Sequence, residues 1–310
     1  MKNKLNIVFL GTPDFAIPTL KSLLNFGHNV VGVITQPEKP AGRAKIITPS
    51  PVKKFALEKH LSILEPHNLK KDEEAFENFK HLNPDLCVVA AYGKIIPSRY
   101  LDVPKYGFLN VHPSLLPKYR GPSPIQTAIL TGNPKTGVSI MLIDEQVDHG
   151  PVLAQRTYNI KPTAYYSETE KDLSDLGAEL LIETLPKYIS GDMRPQEQDH
   201  NQATFTKMFT REDGKINWDC SAEKIYNQIR ALNSEPGTWA LLAYSVEAVS
   251  TTKAERPSGF VGQDKIINIK KAELRDGKLQ IQIIQMEGKK EMSFEEFLRG
   301  RRNFDISQLK

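Results

Sequence analysis

Apolar residues in the first half of the chain fall in short unbroken runs separated by amphipathic stretches. The runs at 5–10, 30–35, 86–90, 109–112 and 137–143 have the length of buried strands. The first closes at Gly11-Thr12-Pro13-Asp14, a turn-forming group. Between the runs, 15–24 and 72–81 carry helical spacing, 123–130 continues the alternation, and a long helix is predicted over 167–188. Continuous apolar strands alternating with helices predict an α/β fold. It would be a Rossmann-like, mostly parallel sheet with helices on both faces. Functional groups in such a sheet collect at the carboxyl ends of its strands.

The pattern changes after Gly191-Asp192-Met193-Arg194-Pro195. Polar residues follow as far as Thr204, a composition that reads as a linker. Beyond it, 221–231 is an amphipathic helix with Ile225, Ile229 and Leu232 on one face. Strand-like segments at 239–243, 266–270 and 279–286 and a short helix near 294–298 then predict a small β-rich domain of barrel type. The division expected is 1–189, a linker over 190–206, and 207–310. A length of 310 residues favours two domains over one.

Bulk composition narrows the class. With 39% hydrophobic and 25% charged residues and no low-complexity tract, extensive disorder is not expected. A net charge of +4 permits an anionic partner without demanding one. Cys87 sits in an apolar run and reads as a buried thiol; neither a disulfide framework nor a metal-ligand pattern is present, so no metal is expected. The apolar run at the start is too short for a signal-peptide core, and no stretch approaches membrane-spanning length. A cytoplasmic protein is the expectation.

Candidate chemistry centres on Leu109-Asn110-Val111-His112-Pro113. Period-2 alternation puts Asn110 and His112 on one face of a strand and Val111 on the other. Pro113 ends the ladder, so both polar groups project near a carboxyl end. An amide donor can stabilise a developing oxyanion, and an imidazole beside it can move protons. Asp148 lies downstream in a polar segment bounded by Gly150-Pro151, where a carboxylate could orient His112. Spacing alone leaves a structural role for the pair open and does not choose one acyl transfer over another.

The stretch Asn110-Val111-His112-Pro113-Ser114-Leu115-Leu116-Pro117, followed by Tyr119-Arg120-Gly121 and by Asp148-His149-Gly150, resembles the signature of the folate-dependent formyltransferases. The resemblance implies that Asn110, His112 and Asp148 are catalytic and that 10-formyltetrahydrofolate is the formyl donor. It also implies that Ser114, Leu115, Leu116 and Pro117 form a folate-contacting turn. Ala91, Tyr92 and Gly93, within Val88 to Pro97, match the segment lining the pterin pocket, and Ile143 is a further implied contact.

Two further regions resemble the family members that act on methionyl-initiator tRNA. One begins at Phe9-Leu10-Gly11-Thr12-Pro13-Asp14-Phe15-Ala16 and includes the loop from Thr35 to Lys53. There Lys39, Arg43, Lys45, Lys53 and Lys54 face Glu38, and Pro37, Pro40 and Gly42 argue against a helix. A basic irregular loop can contact phosphates, with a solvated surface loop as the alternative. The resemblance implies that Arg43, Lys39 and Lys45 grip the acceptor arm. This chain has Ala44 where glycine is frequent in the family, and Ile46-Ile47 where a further basic residue is common.

The other region comprises Ile216-Asn217-Trp218, 229–233, Pro236-Gly237-Thr238-Trp239 and 297–302. It implies an oligonucleotide-binding-type (OB-like) barrel that binds tRNA. Lys270, Lys271, Lys289, Lys290, Arg301 and Arg302 are candidate phosphate contacts, and Trp218 and Trp239 read as core. A monomer is implied.

Overall fold

The computed structural model describes residues 4–41, 46–242, 265–301, 304 and 309. The chain divides into two compact units. The first comprises 1–125, 134–160 and 167–207, and the second comprises 126–133, 161–166 and 208–310.

The elements in chain order begin with β1 (Asn6–Gly11), α1 (Ile17–Asn25), β2 (Asn29–Ile34), β3 (Lys39–Ala41) and β4 (Ile46–Thr48). They continue through α2 (Pro51–Glu58), β5 (Ile63–Leu64), α3 (Glu73–His81), β6 (Leu86–Ala90), α4 (Ser98–Leu101) and β7 (Phe108–His112). Next come α5 (Pro124–Leu130), β8 (Lys135–Leu142), β9 (Val152–Asn159) and α6 (Tyr166–Ser190).

Seven strands form the sheet of the first unit in the order β5-β2-β1-β6-β7-β8-β9. The first five run parallel; β2, β1, β6 and β7 match predicted runs, and the two-residue β5 was not among them. β8 and β9 are antiparallel to their neighbours, a departure from the parallel pattern at one edge. A run of apolar residues carries no signature of strand direction, so periodicity could not separate these cases. The strand order reverses between β1 and β6. An open α/β sheet places its binding crevice outside the carboxyl ends at such a point.

One face of this sheet carries Val8, Leu10, Ile34, Cys87, Val89 and Phe108, packed with Phe79, Tyr92 and Tyr100. Cys87 is fully buried, and burial pushes its thiol well above the ordinary range, in keeping with a small core hydrophobe. On β7, Val111 faces α6 instead. A Cβ at Gly177 of that helix would lie 2.6 Å from Val111 Cγ1, so glycine there permits the close approach.

The second unit contains α7 (Ala222–Leu232), β10 (Thr238–Leu242), β11 (Lys265–Arg275), β12 (Lys278–Met286), β13 (Glu291–Ser293) and α8 (Phe294–Arg299). Its strands form an antiparallel sheet in the order β10-β11-β12-β13. Ser221 caps α7 by accepting from Lys224 N–H, and Ser293 with Glu296 forms a capping box on α8. Ile225 and Ile229 of α7 bury against Ile267, Ile269 and Ile284. Trp218 packs against the same core, and Trp239 is buried with its Nε1 donating to Arg211 O at 2.8 Å. Residue 243 of the predicted strand 239–243 lies outside the described residues.

Candidate active site

The row Phe108, Asn110, His112 starts in the apolar core and ends at the carboxyl end of β7. Asp148 meets it from the connection between β8 and β9. Asn110 Nδ2 donates to Asp148 Oδ1 at 3.3 Å, and His112 Nδ1 lies 3.5 Å from the same oxygen. The three side chains singled out by alternation and position are thus one cluster. His112 is 4% exposed, so its partners must come from the protein. Its Nε2 lies 3.0 Å from Tyr119 O. A carbonyl only accepts, so in this hydrogen bond Nε2 carries the hydrogen, and Nδ1 is the nitrogen that faces Asp148.

Asp148 is held from several directions. Gly121 N–H donates to its Oδ2 at 2.7 Å. Its φ is +49°, in the left-handed region that aspartate adopts more readily than most side-chain-bearing residues. Gln198 Nε2 donates to the main-chain oxygens of Asp148 at 3.0 Å and Gly150 at 2.7 Å. Arg120, 3% exposed, sends Nε and Nη2 to Gln198 Oε1 at 3.2 and 2.8 Å, and Nη2 also lies 2.8 Å from His200 Nδ1. The imidazoles of His200 and His149 stack at 4.0 Å, and His149 Nδ1 meets Asp144 Oδ2 at 2.6 Å.

The segment with linker composition takes part in this site. Arg120 N–H donates to Thr204 O at 2.9 Å and Thr206 N–H to Arg120 O at 2.7 Å. Tyr119 N–H reaches Thr204 Oγ1 at 2.8 Å, and Ser123 N–H reaches Thr206 Oγ1 at 3.1 Å. Nothing in the composition of 196–206 distinguishes Gln198 from its polar neighbours. Arg120 stood inside a motif but carried no assigned role.

The turn from Ser114 to Pro117 is tied down beside His112. Ser114 Oγ donates to Lys118 O at 2.6 Å, Ser139 Oγ to Ser114 O at 2.6 Å, and Leu116 N–H to Ser139 Oγ at 3.1 Å. Gln155 Nε2 donates to Leu116 O at 2.8 Å, and the Leu116-Pro117 peptide is cis. Leu115 lies against Gly137, where a Cβ would come within 2.5 Å of its Cδ2.

At the neighbouring strand ends, Ala91 (φ +47°) and Gly93 (φ +76°) turn the chain out of β6. The Tyr92 ring is only 2% exposed and belongs to the core, where burial raises its phenol well above the ordinary value. Its carbonyl accepts from Thr12 Oγ1 at 3.2 Å and Gln36 Nε2 at 2.8 Å. Ile143 donates its N–H to Phe108 O at 2.9 Å and packs on the same core, beside the start of β7.

The basic region differs from an irregular loop. Lys39 opens β3, which pairs antiparallel with β4 in register Lys39↔Thr48. Ser50 caps α2 by accepting from Lys53 N–H at 3.0 Å, and Pro51 occupies the first turn, so the helix starts inside the stretch read as loop. Lys53 is paired with both Glu38 (2.7 Å) and Glu65 (2.6 Å), and hydrogen bonds to Glu38 and then Glu65 hold its ammonium above the ordinary range. Lys53 therefore offers little charge to a phosphate. Arg43 and Lys45 lie outside the described residues.

In the second unit Lys271, Lys289 and Lys290 are exposed. Lys270 Nζ is 4.0 Å from Glu291 and Arg301 lies over the Phe297 ring at 5.1 Å; Arg302 is not among the described residues.

Comparison with known proteins gives the family. Residues 5–185 match the formyl transferase family model, and residues 208–302 match that of the formyl transferase C-terminal domain. The methionyl-tRNA formyltransferase of Bacillus licheniformis is 41% identical over 300 residues, spanning 95% of this chain and 94% of that protein. Its counterpart in Caldicellulosiruptor saccharolyticus is 41% identical over 303 residues, 96% of this chain and 97% of that protein.

Among solved structures, the methionyl-tRNA formyltransferase of Clostridium thermocellum superposes with a TM-score of 0.56 at 22% identity, covering 91% of this chain and 98% of that one. At that identity the likeness speaks to the fold alone. The chain belongs to the formyl transferase family, an enzyme family built around a formyl-folate substrate, and within it groups with the methionyl-tRNA formyltransferases.

Proposed function

We propose that this chain transfers the formyl group of 10-formyltetrahydrofolate to the α-amino group of methionyl-initiator tRNA, giving N-formylmethionyl-tRNA for translation initiation. The observation that carries the chemistry is the convergence of Asn110 and His112 on one carboxylate oxygen of Asp148 at a strand's carboxyl end. The amine attacks the formyl carbon, a new C–N bond forms, and the carbonyl oxygen gains charge. One Asn110 Nδ2 hydrogen is directed to Asp148, and among the described residues nothing takes the other, which is free to bind that oxyanion. Collapse of the intermediate breaks the bond to N10, and one proton passes from the amine to N10. His112 Nδ1, backed by Asp148, is the group placed to carry it. The products are the formylated amine and tetrahydrofolate.

The folate is assigned to the crevice beside β1, β6 and β7, against Ala91, Tyr92, Gly93, Ile143 and the Ser114-Leu115-Leu116-Pro117 turn. The strand-order reversal between β1 and β6 supports that choice. Tyr92 would take part through its main chain, since its ring is in the core. Lys39, Arg43 and Lys45 are assigned to the acceptor arm of the tRNA. The second unit is read as an OB-like barrel that binds tRNA, supported by its antiparallel sheet and its exposed lysines. The domain division proposed is 1–189, 190–206 and 207–310. Among the described residues no helix is long and apolar enough to cross a membrane; the reading adds a cytoplasmic monomer.

The test is a formylation assay supplying the donor with methionyl-initiator tRNA in one arm and amino-sugar nucleotides in another. Transfer to the charged tRNA alone supports the reading, and transfer to the sugar nucleotide alone contradicts it.

A further inference from the structure

The contacts behind Asp148 have a direction. Arginine only donates, and main-chain carbonyls only accept. With Arg120 Nε and Nη2 on Gln198 Oε1, the amide of Gln198 can be placed only one way round, with Nε2 toward the carbonyls of Asp148 and Gly150. Among the described residues no carboxylate pairs with this buried guanidinium, so its position is explained by the amide and by His200. The main chain of Arg120 also belongs to the segment whose next residue, Gly121, donates to Asp148 Oδ2. Side chain and main chain of one residue therefore restrain the same aspartate from two sides, one of them through Gln198. The restraint falls on a residue at φ +49°, in the left-handed region. Gln198 lies between the two spans matched by the family models, 5–185 and 208–302.

We propose that Arg120 and Gln198 are positioning residues for formyl transfer, setting the main chain at Asp148 so that its carboxylate meets Asn110 and His112. This rests on the catalytic reading of Asp148 given above. Two substitutions separate positioning from simple satisfaction of the buried arginine. Gln198→Glu keeps an acceptor for Arg120 but turns an acceptor oxygen toward two carbonyls; Gln198→Met removes both contacts.

Both variants should lower kcat by about ten- to a hundredfold, as displacements of a reacting group do, with KM for folate donor and tRNA within about twofold. In an Asp148→Asn background either change should add almost nothing, because the group being positioned is already disabled. Amide hydrogen exchange gives a readout independent of activity: the Gly121 N–H should exchange at least about tenfold faster in Gln198→Met, with the amides of β1 unchanged.

A Gln198→Glu enzyme with wild-type kcat would overturn the inference, as would an equal fold-loss in the Asp148→Asn background or unaltered Gly121 exchange. If the wild-type chain formylates no methionyl-tRNA, the parent reading fails, and the exchange measurement still decides whether Gln198 holds Asp148.

Discussion

Arg120 in the first unit and Arg230 in the second are both buried guanidiniums, and among the described residues both lean on an amide oxygen instead of a carboxylate. Arg230 is 5% exposed, donates to Asn227 Oδ1 at 2.6 Å and Ala164 O at 2.8 Å, and lies over the Tyr226 ring at 5.0 Å. Burial pulls its pKa down from the ordinary guanidinium value. Its contacts end within α7 and the 161–166 segment, so they serve packing. The contacts of Arg120 run on through Gln198 to the main chain of Asp148. The same residue type at the same depth therefore has a different meaning, decided by where its partners lead.

The sharpest way to break this contrast is at the end of the Arg120 chain. Asp148→Asn should keep the contact to Gly121 N–H yet remove the negative charge facing His112 Nδ1, lowering single-turnover formylation on the order of a hundredfold or more. An Asp148→Asn enzyme within threefold of wild type would remove the reason to treat Arg120 differently from Arg230.

Arg230→Met tests the other side. It leaves the buried Asn227 amide and the Ala164 carbonyl without their donor, and should destabilise the second unit by about 2–4 kcal/mol in urea unfolding. At saturating substrate kcat should be unchanged; a large fall in kcat with little change in stability would erase the distinction.

A smaller effect is expected at the surface. Lys289→Ala with Lys290→Ala should raise KM for tRNA a few-fold, leaving KM for the folate unmoved. The salt dependence of tRNA binding should become shallower by about one unit of log–log slope for each phosphate no longer neutralised. An unchanged salt slope would remove these lysines from the tRNA surface. The smallest effect belongs to Lys53→Met, whose ion pairs with Glu38 and Glu65 are only partly shielded and should contribute no more than about 1 kcal/mol. A tRNA affinity that falls tenfold with Lys53→Met would mean that this ammonium reaches phosphate after all.

Only the Asn110 and His112 pair was legible from local pattern; Asp148 lies 38 residues from Asn110 and was joined to them by the motif resemblance. Alternation on a five-residue strand puts Asn110 and His112 on one face, and a Gly-Pro boundary marks the loop of Asp148. Four of the parallel strands followed from unbroken apolar runs; the two-residue β5 is too short to show as one, and the antiparallel edge did not follow, since β8 reads like any buried strand. Arg120 and Gln198 were not legible as a pair: 78 residues separate them, and a glutamine among polar residues after a long helix looks like solvent-facing chain. The helix start at Pro51 was hidden for another reason. Prolines argue against a helix interior but favour its first turn, and only Ser50 as cap decides which applies.

The central claim is formyl transfer by the Asn110, His112 and Asp148 cluster, and Asn110 tests it most directly because its free amide hydrogen is the assigned oxyanion donor. The measurement is the single-turnover rate of formyl transfer from 10-formyltetrahydrofolate to methionyl-initiator tRNA, for wild type and Asn110→Ala, with tRNA affinity determined alongside. The account predicts a rate lowered on the order of a hundredfold or more with affinity within about twofold. A wild-type rate in Asn110→Ala, or a loss carried wholly by tRNA affinity, would contradict it.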